Sequence, residues 1–190
     1  MRQSDPLSTG EYQPLPPEAL CVLEQVSAPP RLLAHLVLVH DAACTLTDRI
    51  SAEFPEAQFD AELVRFGAAV HDVGKTVHPD ELTESGKHEH RRAGLDLLRS
   101  LGISHERARF AWTHGNWSGD EITLEDLIVA LADKCWKGKR VEALEARTTE
   151  FLSAATGRPT WDCHAKLDEI LQELARHADR KLAWQGDFPT

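Results

Sequence analysis

A chain of 190 residues is long enough for one domain with a full-sized apolar core, and 42% apolar with 27% charged residues reads as globular rather than disordered. The formal charge of −10 excludes a sequence-independent grip on nucleic acid, which needs a net basic footprint. A small phosphorylated ligand stays open, because a metal ion or a local cationic pocket can serve it.

Residues 1–17 hold Pro6, Gly10, Pro14, Pro16 and Pro17 with little to bury, and are expected to form a loose, flexible arm ahead of a single helical domain over 18–190. Pro29 and Pro30 suit the first turn of a helix running from Arg31 to about Asp48. Asp60 can cap a helix whose apolar positions Leu63, Phe66 and Val70 share one face; Gly67 on that face would admit a close neighbour, and Gly74 is expected as its C-terminal cap. A helix from about His88 to Leu101 carries Ala93, Leu97 and Leu98, and another spans about His105 to His114. Thr123-Leu-Glu-Asp126 reads as a capping box before an apolar run ending near Trp136. Two amphipathic helices follow, over about 139–155 and 161–183. With no alternating β-branched runs and no Asn-Gly hairpin signal, the expected class is all-α.

The four cysteines (Cys21, Cys44, Cys135, Cys163) lie far apart and form no C-x-x-C pair, so neither a disulfide framework nor a structural zinc knuckle is expected, and reduced thiols in a cytoplasm are. No apolar run approaches the ~18 residues of a membrane span, and no signal-peptide core stands at the start, so no membrane partner is expected.

Two segments carry ligand-type residues inside apolar helices. Leu32–His40 is apolar on every side, which marks a helix buried all round, so His35 and His40 each need a hydrogen-bond partner or a metal. Leu127–Asp133 poses the same problem with a carboxylate, whose alternatives are a metal or a buried ion pair with a nearby lysine. A site between the two helices is the common answer. His71-Asp72-Val-Gly-Lys75 closes the third helix, where a histidine and an aspartate side by side can bend toward one divalent ion. The dipeptide alone is weak, because His40-Asp41 repeats it.

In its extended context the motif resembles the HD-domain superfamily of metal-dependent phosphohydrolases. The order His…His-Asp…Asp is met by His35, His71-Asp72 and Asp133, the H-D-x-G-K form is complete, and Ala132-Asp133-Lys134 matches the family's last aspartate. His35, Val39 and Ala43 reproduce the pattern H-x-x-x-V-x-x-x-A, whereas His40 is followed at those offsets by Cys44 and Asp48. The match covers about residues 31–140.

The resemblance implies an all-α HD-type helical bundle with a metal site between its central helices. It implies one ion held by His35, His71, Asp72 and Asp133, and in binuclear members a second held by Asp72, His90 and His114. His90 precedes Gly94 by four residues, as in those members, and His88 is its competitor; mixed nitrogen and oxygen ligands suit iron, manganese, zinc, cobalt or nickel without choosing among them. Asp72 and Lys75 are the implied catalytic residues, Lys75 also contacting phosphate, and one of Arg91 and Arg92, assigned as Arg91, is expected at the mouth of the site. The implied reaction is hydrolysis of a small phosphoester or nucleotide by a metal-activated water. Alternatives are a di-iron oxygenase on the same ligands and a non-catalytic nucleotide-binding module. The H-D-x-x-E-D form of guanosine tetraphosphate hydrolases is missing, and no G-Y-P follows His114. Trp112, Trp117 and Trp136 are expected to pack the core rather than stack on a base, with lining a pocket as the alternative for one of them, and Cys135 is expected in the core; His78, His105, His164 and His177 show no family spacing.

Overall fold

The computed structural model describes residues 5–8, 10–84 and 86–190. Among them no strand occurs, and the chain is all-α. The α-helices are α1 (Pro17–Gln25), α2 (Pro30–Glu53), α3 (Ala61–Val70), α4 (Glu89–Ser100), α5 (His105–Ala108), α6 (Phe110–Thr113), α7 (Leu124–Cys135), α8 (Glu142–Thr156), α9 (Thr160–Ala175) and α10 (Ala178–Gly186). Short 3₁₀ turns at Pro6–Ser8, Val73–Thr76 and Pro79–Leu82 join some of them.

Helix α2 is the axis of the fold and packs against both α3 and α7. Its all-round apolarity has a structural cause: one side belongs to a cluster with Val22, Phe66, Val70 and Leu98, the other to a cluster with Ile128, Leu131, Leu144 and Leu167. Leu36 and Val37 face the first cluster, Val39 and Leu46 the second. Burying each such side chain contributes about 1.5–3 kcal/mol, enough to hold a 24-residue helix with no side-chain cap at its N-terminus, while Arg158 donates to the Glu53 carbonyl at its C-terminus at 2.9 Å. The helix runs beyond Asp48 to Glu53 because Ile50 and Phe54 continue the apolar row set by Leu46, and both are fully buried.

The other boundaries follow local chemistry. Asp60 accepts the Leu63 N–H at 3.0 Å and caps α3. Thr123 opens α7, its backbone N–H donating to the Asp126 carboxylate at 3.0 Å in a capping box. The segment expected as one helix over His105–His114 is divided at Arg109, yet Arg109 stays helical (φ −57°, ψ −29°), so α5 and α6 form one path. Helix α8 begins at Glu142 because Gly138, at φ +75°, turns the chain first. The expected helix over 161–183 breaks at His177, where φ is −116°. That break lets Trp184 fold back, its ring 4.8 Å from Tyr12 and 5.0 Å from Phe188.

Gly67 admits a neighbour as expected: a Cβ there would stand 2.5 Å from the Phe110 ring of α6. Gly74 is not a helix cap. Helix α3 ends four residues earlier, and Gly74 sits in a 3₁₀ turn where a Cβ would meet the His90 carbonyl oxygen at 1.9 Å and the Gly94 nitrogen at 2.5 Å. Its role is contact between the backbone after the central motif and helix α4. Within the stretch read as a loose arm, Leu15 is buried and the Gln13 N–H donates to Asp41 at 3.3 Å, while residues 1–4 and 9 lie outside the described residues. Among the described residues no helix is long and apolar enough to cross a membrane.

Candidate metal centre

Five elements converge on one buried cluster. Helix α2 supplies His35, the end of α3 supplies His71 and Asp72, α7 supplies Asp133, α4 supplies His90, and the residue closing α6 supplies His114. All six are buried, with His71 fully so.

Asp72 is the hinge of the arrangement. Its Oδ2 lies 3.1 Å from His35 Nε2 and 3.6 Å from His71 Nε2, and its Oδ1 lies 3.2 Å from His90 Nε2 and 3.5 Å from His114 Nε2. Asp133 closes the first half, its Oδ1 standing 3.6 Å from His35 Nε2 and 3.9 Å from His71 Nε2. The six residues therefore form two groups that share one carboxylate, one oxygen turned to each. All of the metal-ligating residues expected from the sequence come together.

Hydrogen bonds on the far side of the rings fix which nitrogen is free. His71 Nδ1 lies 2.9 Å from the Ala68 carbonyl and His114 Nδ1 2.9 Å from the Phe110 carbonyl. A carbonyl only accepts, so each Nδ1 carries the proton and each Nε2 presents a lone pair to the cluster. Burial pushes the His114 pKa down to about 3 and that of His35 down to about 4, and lowers that of His71, so these rings are neutral at pH 7. His35 Nε2 and His71 Nε2 are buried with no aligned hydrogen-bond partner. The buried lone pair of His71 Nε2 is costly when left unpaired, and a cation is the partner that would satisfy it. With metal–ligand bonds of about 2.0–2.2 Å, ligand atoms around one ion sit about 3–3.6 Å apart, close to the spacing here. The donor set fits divalent transition metals.

Around the carboxylates stand lysines. Lys75 Nζ is 2.6 Å from Asp72 Oδ2, Lys137 Nζ is 3.2 Å from Asp133 Oδ1, and Lys134 Nζ bonds Asp133 Oδ2. Burial works to raise the pKa of both aspartates, but the ammonium of Lys75 beside Asp72, and those of Lys137 and Lys134 beside Asp133, hold both well below the usual carboxylate range. Of the ion pair and the metal weighed as alternatives for Asp133, the ion pair is present, and the same carboxylate also faces the His35 and His71 rings. Lys75 is tied to a ligand carboxylate rather than standing free for phosphate. Arg91 lines the mouth as expected, donating from Nη1 to the Gly115 carbonyl at 3.1 Å, whereas Arg92 turns away to pair with Asp96. The mouth is a cavity of about 260 Å³ carrying five cationic side chains, Lys75, Lys87, Arg91, Lys134 and Lys137, in a chain of net negative charge.

Several residues fall elsewhere. His40 stands outside the cluster, its Nε2 3.6 Å from Cys44 Sγ, and lines a separate groove of about 460 Å³. His88 is exposed and lies just before the first turn of α4, leaving His90 as the inward histidine. Trp136 is buried with its ring 5.6 Å from that of His35, and Cys135 is buried too, but Trp112 is 43% exposed and does not pack the core.

Two buried carboxylates have roles that the sequence reading did not give: it placed Asp126 only in the capping box and did not single out Glu81. Asp126 is fully buried and held by Arg109 Nε at 3.0 Å and Thr113 Oγ1 at 2.7 Å, which ties α6 to α7 behind His114. Glu81, in the Pro79–Leu82 turn, places Oε2 2.5 Å from His90 Nδ1. No spacing rule would have found Glu81, because it reaches His90 from another element.

An all-helical domain with a buried histidine–aspartate centre at its axis is the class that this fold and site define. The HD domain family model matches residues 32–136, more than half of the chain, and the chain belongs to that family. Its fold is similar to a crystal structure of the HD domain of the L. monocytogenes phosphodiesterase PgpH in complex with cyclic-di-AMP, with 16% identity over 88% of this chain and 98% of that one and a TM-score of 0.51. A second structure of that HD domain matches with 15% identity over 86% of this chain and 98% of that one, again at a TM-score of 0.51. At such identity the likeness concerns the fold. No curated protein sequence gives a significant match.

Proposed function

We propose that this chain is a metal-dependent phosphohydrolase with a binuclear centre, acting on a small phosphoester, nucleotides included. The observation that carries the proposal is Asp72, which turns one oxygen to His35 and His71 and the other to His90 and His114. His35, His71, Asp72 and Asp133 would hold one ion, and Asp72, His90 and His114 the other. Bound divalent ions supply a water acidified from pKa ~15.7 toward ~7 and neutralise charge on a phosphoryl group. The donor set suits iron, manganese, zinc, cobalt or nickel alike.

The chain's own groups do the rest. Asp72 orients the attacking water between the two halves of the cluster. Lys75, held 2.6 Å from Asp72 at the edge of the cavity, would share its charge with a non-bridging phosphoryl oxygen of a bound substrate. Arg91 and the other cations at the mouth draw an anionic substrate into the cavity. The formal charge of −10 confines that attraction to the pocket, so duplex nucleic acid is not the partner. The PgpH HD domain, a phosphodiesterase domain, was crystallised with cyclic-di-AMP, and the similar fold supports a nucleotide among the substrates to be tried. Four unpaired thiols support a reducing compartment, and the proposed location is the cytoplasm.

Elemental analysis of the purified chain, paired with a phosphoester panel, tests the reading. At least one transition-metal ion per chain is expected, lost in His71→Ala and Asp72→Ala together with phosphate release. A metal-free protein that added manganese, iron, cobalt or nickel fails to activate would remove its basis.

A further inference from the structure

We propose that Glu81 is a positioning residue for the second metal position, acting through His90; this rests on the binuclear reading above. The three other histidines of the cluster project from established helix: His35 from within α2, and His71 and His114 at helix ends where their Nδ1–H groups bond carbonyls three and four residues back. His90 has no such support. It is the second residue of α4, and the residues three and four before it, Lys87 and Gly86, precede the helix. Its own element supplies neither a carbonyl for Nδ1 nor a partner for its backbone N–H, one of the unpaired donors of a helix's first turn.

Glu81 supplies both. Its Oε1 accepts the His90 backbone N–H at 3.1 Å and its Oε2 accepts the Nδ1–H at 2.5 Å. One buried carboxylate, with its side chain 2% exposed, therefore clamps His90 at two points and fixes backbone and ring together. An ionised carboxylate only accepts, so the Nδ1 proton stays on His90 and Nε2 faces Asp72 Oδ1, 3.2 Å away. The turn that carries Glu81 is braced in turn by Lys87, whose Nζ lies 2.7 Å from Asp80 and 2.9 Å from Glu84. A carboxylate behind a ligating imidazole orients the ring and raises its basicity, and losing such a partner weakens a bound metal by about 10- to 100-fold. Glu81 thereby assigns the strength of the second position to a contact between two elements, while the first position rests on the helices that carry its own ligands.

The test is a manganese titration of the metal-stripped full chain, read by equilibrium dialysis and electron paramagnetic resonance. The chains compared are wild type, Glu81→Ala, Glu81→Gln and, as a stability control, Asp60→Ala, which removes the cap of α3. Wild type is expected to bind two ions and give the spectrum of a coupled pair. Glu81→Ala should keep the first ion at wild-type affinity, bind the second about 10- to 100-fold more weakly, and give the spectrum of isolated manganese. Glu81→Gln, whose amide oxygen still accepts the Nδ1–H, should fall between, and it decides the matter if Glu81→Ala does not fold. Asp60→Ala should lose stability and keep both ions. Wild-type affinity for both ions in both Glu81 variants, or an equal weakening of both ions shared by Asp60→Ala, overturns the inference and leaves the binuclear reading standing. A wild-type chain that takes up a single ion overturns that reading and this inference with it.

Discussion

Replacing Gly74 by alanine should unseat helix α4 from the centre. A Cβ at Gly74 would stand 1.9 Å from the His90 carbonyl oxygen, 2.5 Å from the Gly94 nitrogen and 2.9 Å from the Gly94 Cα, where real contacts stay beyond 3.0 Å. All three atoms are backbone, so no rotamer change relieves the clash, and the two segments must part by about 1.1 Å, the difference between 1.9 and 3.0 Å. The first turn of α4 carries His90, now 3.2 Å from Asp72 Oδ1. Overpacking of this kind costs about 1–3 kcal/mol, and the upper end applies because the obstacle is rigid. For a chain of this size that lowers Tm by about 5–10 °C, and a displacement of ~1 Å in a reacting constellation costs about 100-fold in rate. Calorimetry and phosphate release by Gly74→Ala measure these two effects, and a manganese titration reads the displaced His90. Gly157→Ala is the control: Gly157 ends α8 at φ +71° with nothing near its Cβ, so alanine there costs about 1–2 kcal/mol of backbone strain and leaves metal binding alone. A Gly74→Ala protein with wild-type Tm and wild-type metal content would refute the close-contact account.

The two histidines of α2 should separate cleanly: His35→Ala loses metal and metal-dependent turnover, while His40→Ala keeps both and loses about 1–3 kcal/mol in urea unfolding. The opposite pattern would transfer the ligand role to His40. Acid should destabilise the metal-stripped protein, because burial holds His35 and His40 near pKa 4 and His114 near 3 in the folded chain, against about 6.5 unfolded. Below pH 6.5 the unfolded chain takes up protons that these folded rings refuse, so each contributes stability that is present above about 6.5 and is lost progressively as pH falls from about 6.5 toward about 4. His90, raised by the carboxylates of Asp72 and Glu81 against the opposing effect of burial, acts in the other direction, its contribution fading as pH rises through its folded value. A melting temperature that stays level or rises from pH 6.5 to 5 in chelator-treated protein would contradict these directions. His114→Ala should slow phosphate release at least about tenfold, or roughly 1.4 kcal/mol in barrier, and unchanged turnover would remove His114 from the centre.

What could be read from the residues themselves was what a single helix expresses, while His90 and His114 came from the family resemblance. Leu32–His40 is apolar on every side because α2 lies between two apolar clusters, and that pattern exposed His35 as a polar residue needing a partner. Asp133 stood out inside α7 for the same reason, and Asp60 and Thr123 announced their helices through local capping. What escaped depends on contacts between elements. Gly74 looks like a helix cap from sequence because glycine serves both ends, and only the position of α4 reveals a close backbone contact. Glu81 looks like an ordinary charge in a turn until His90 folds against it, and Asp126, legible as a capping residue, gives no sign of its pairing with Arg109. The break at His177 goes with a contact between Trp184 and Tyr12, a partner more than 170 residues away. Trp112 was misjudged because an aromatic residue beside a ligand reads as core whether it points inward or, as here, out.

The measurement that tests the central claim most directly is phosphate release by the manganese-loaded chain from p-nitrophenyl phosphate esters and nucleotides, run in parallel under argon and in air. Hydrolysis at a centre whose ions neutralise charge predicts equal rates in both atmospheres, with turnover abolished in Asp72→Ala. Turnover that requires iron and consumes dioxygen stoichiometrically, with no phosphate released from any ester, would contradict the account and identify the centre as an oxygenase.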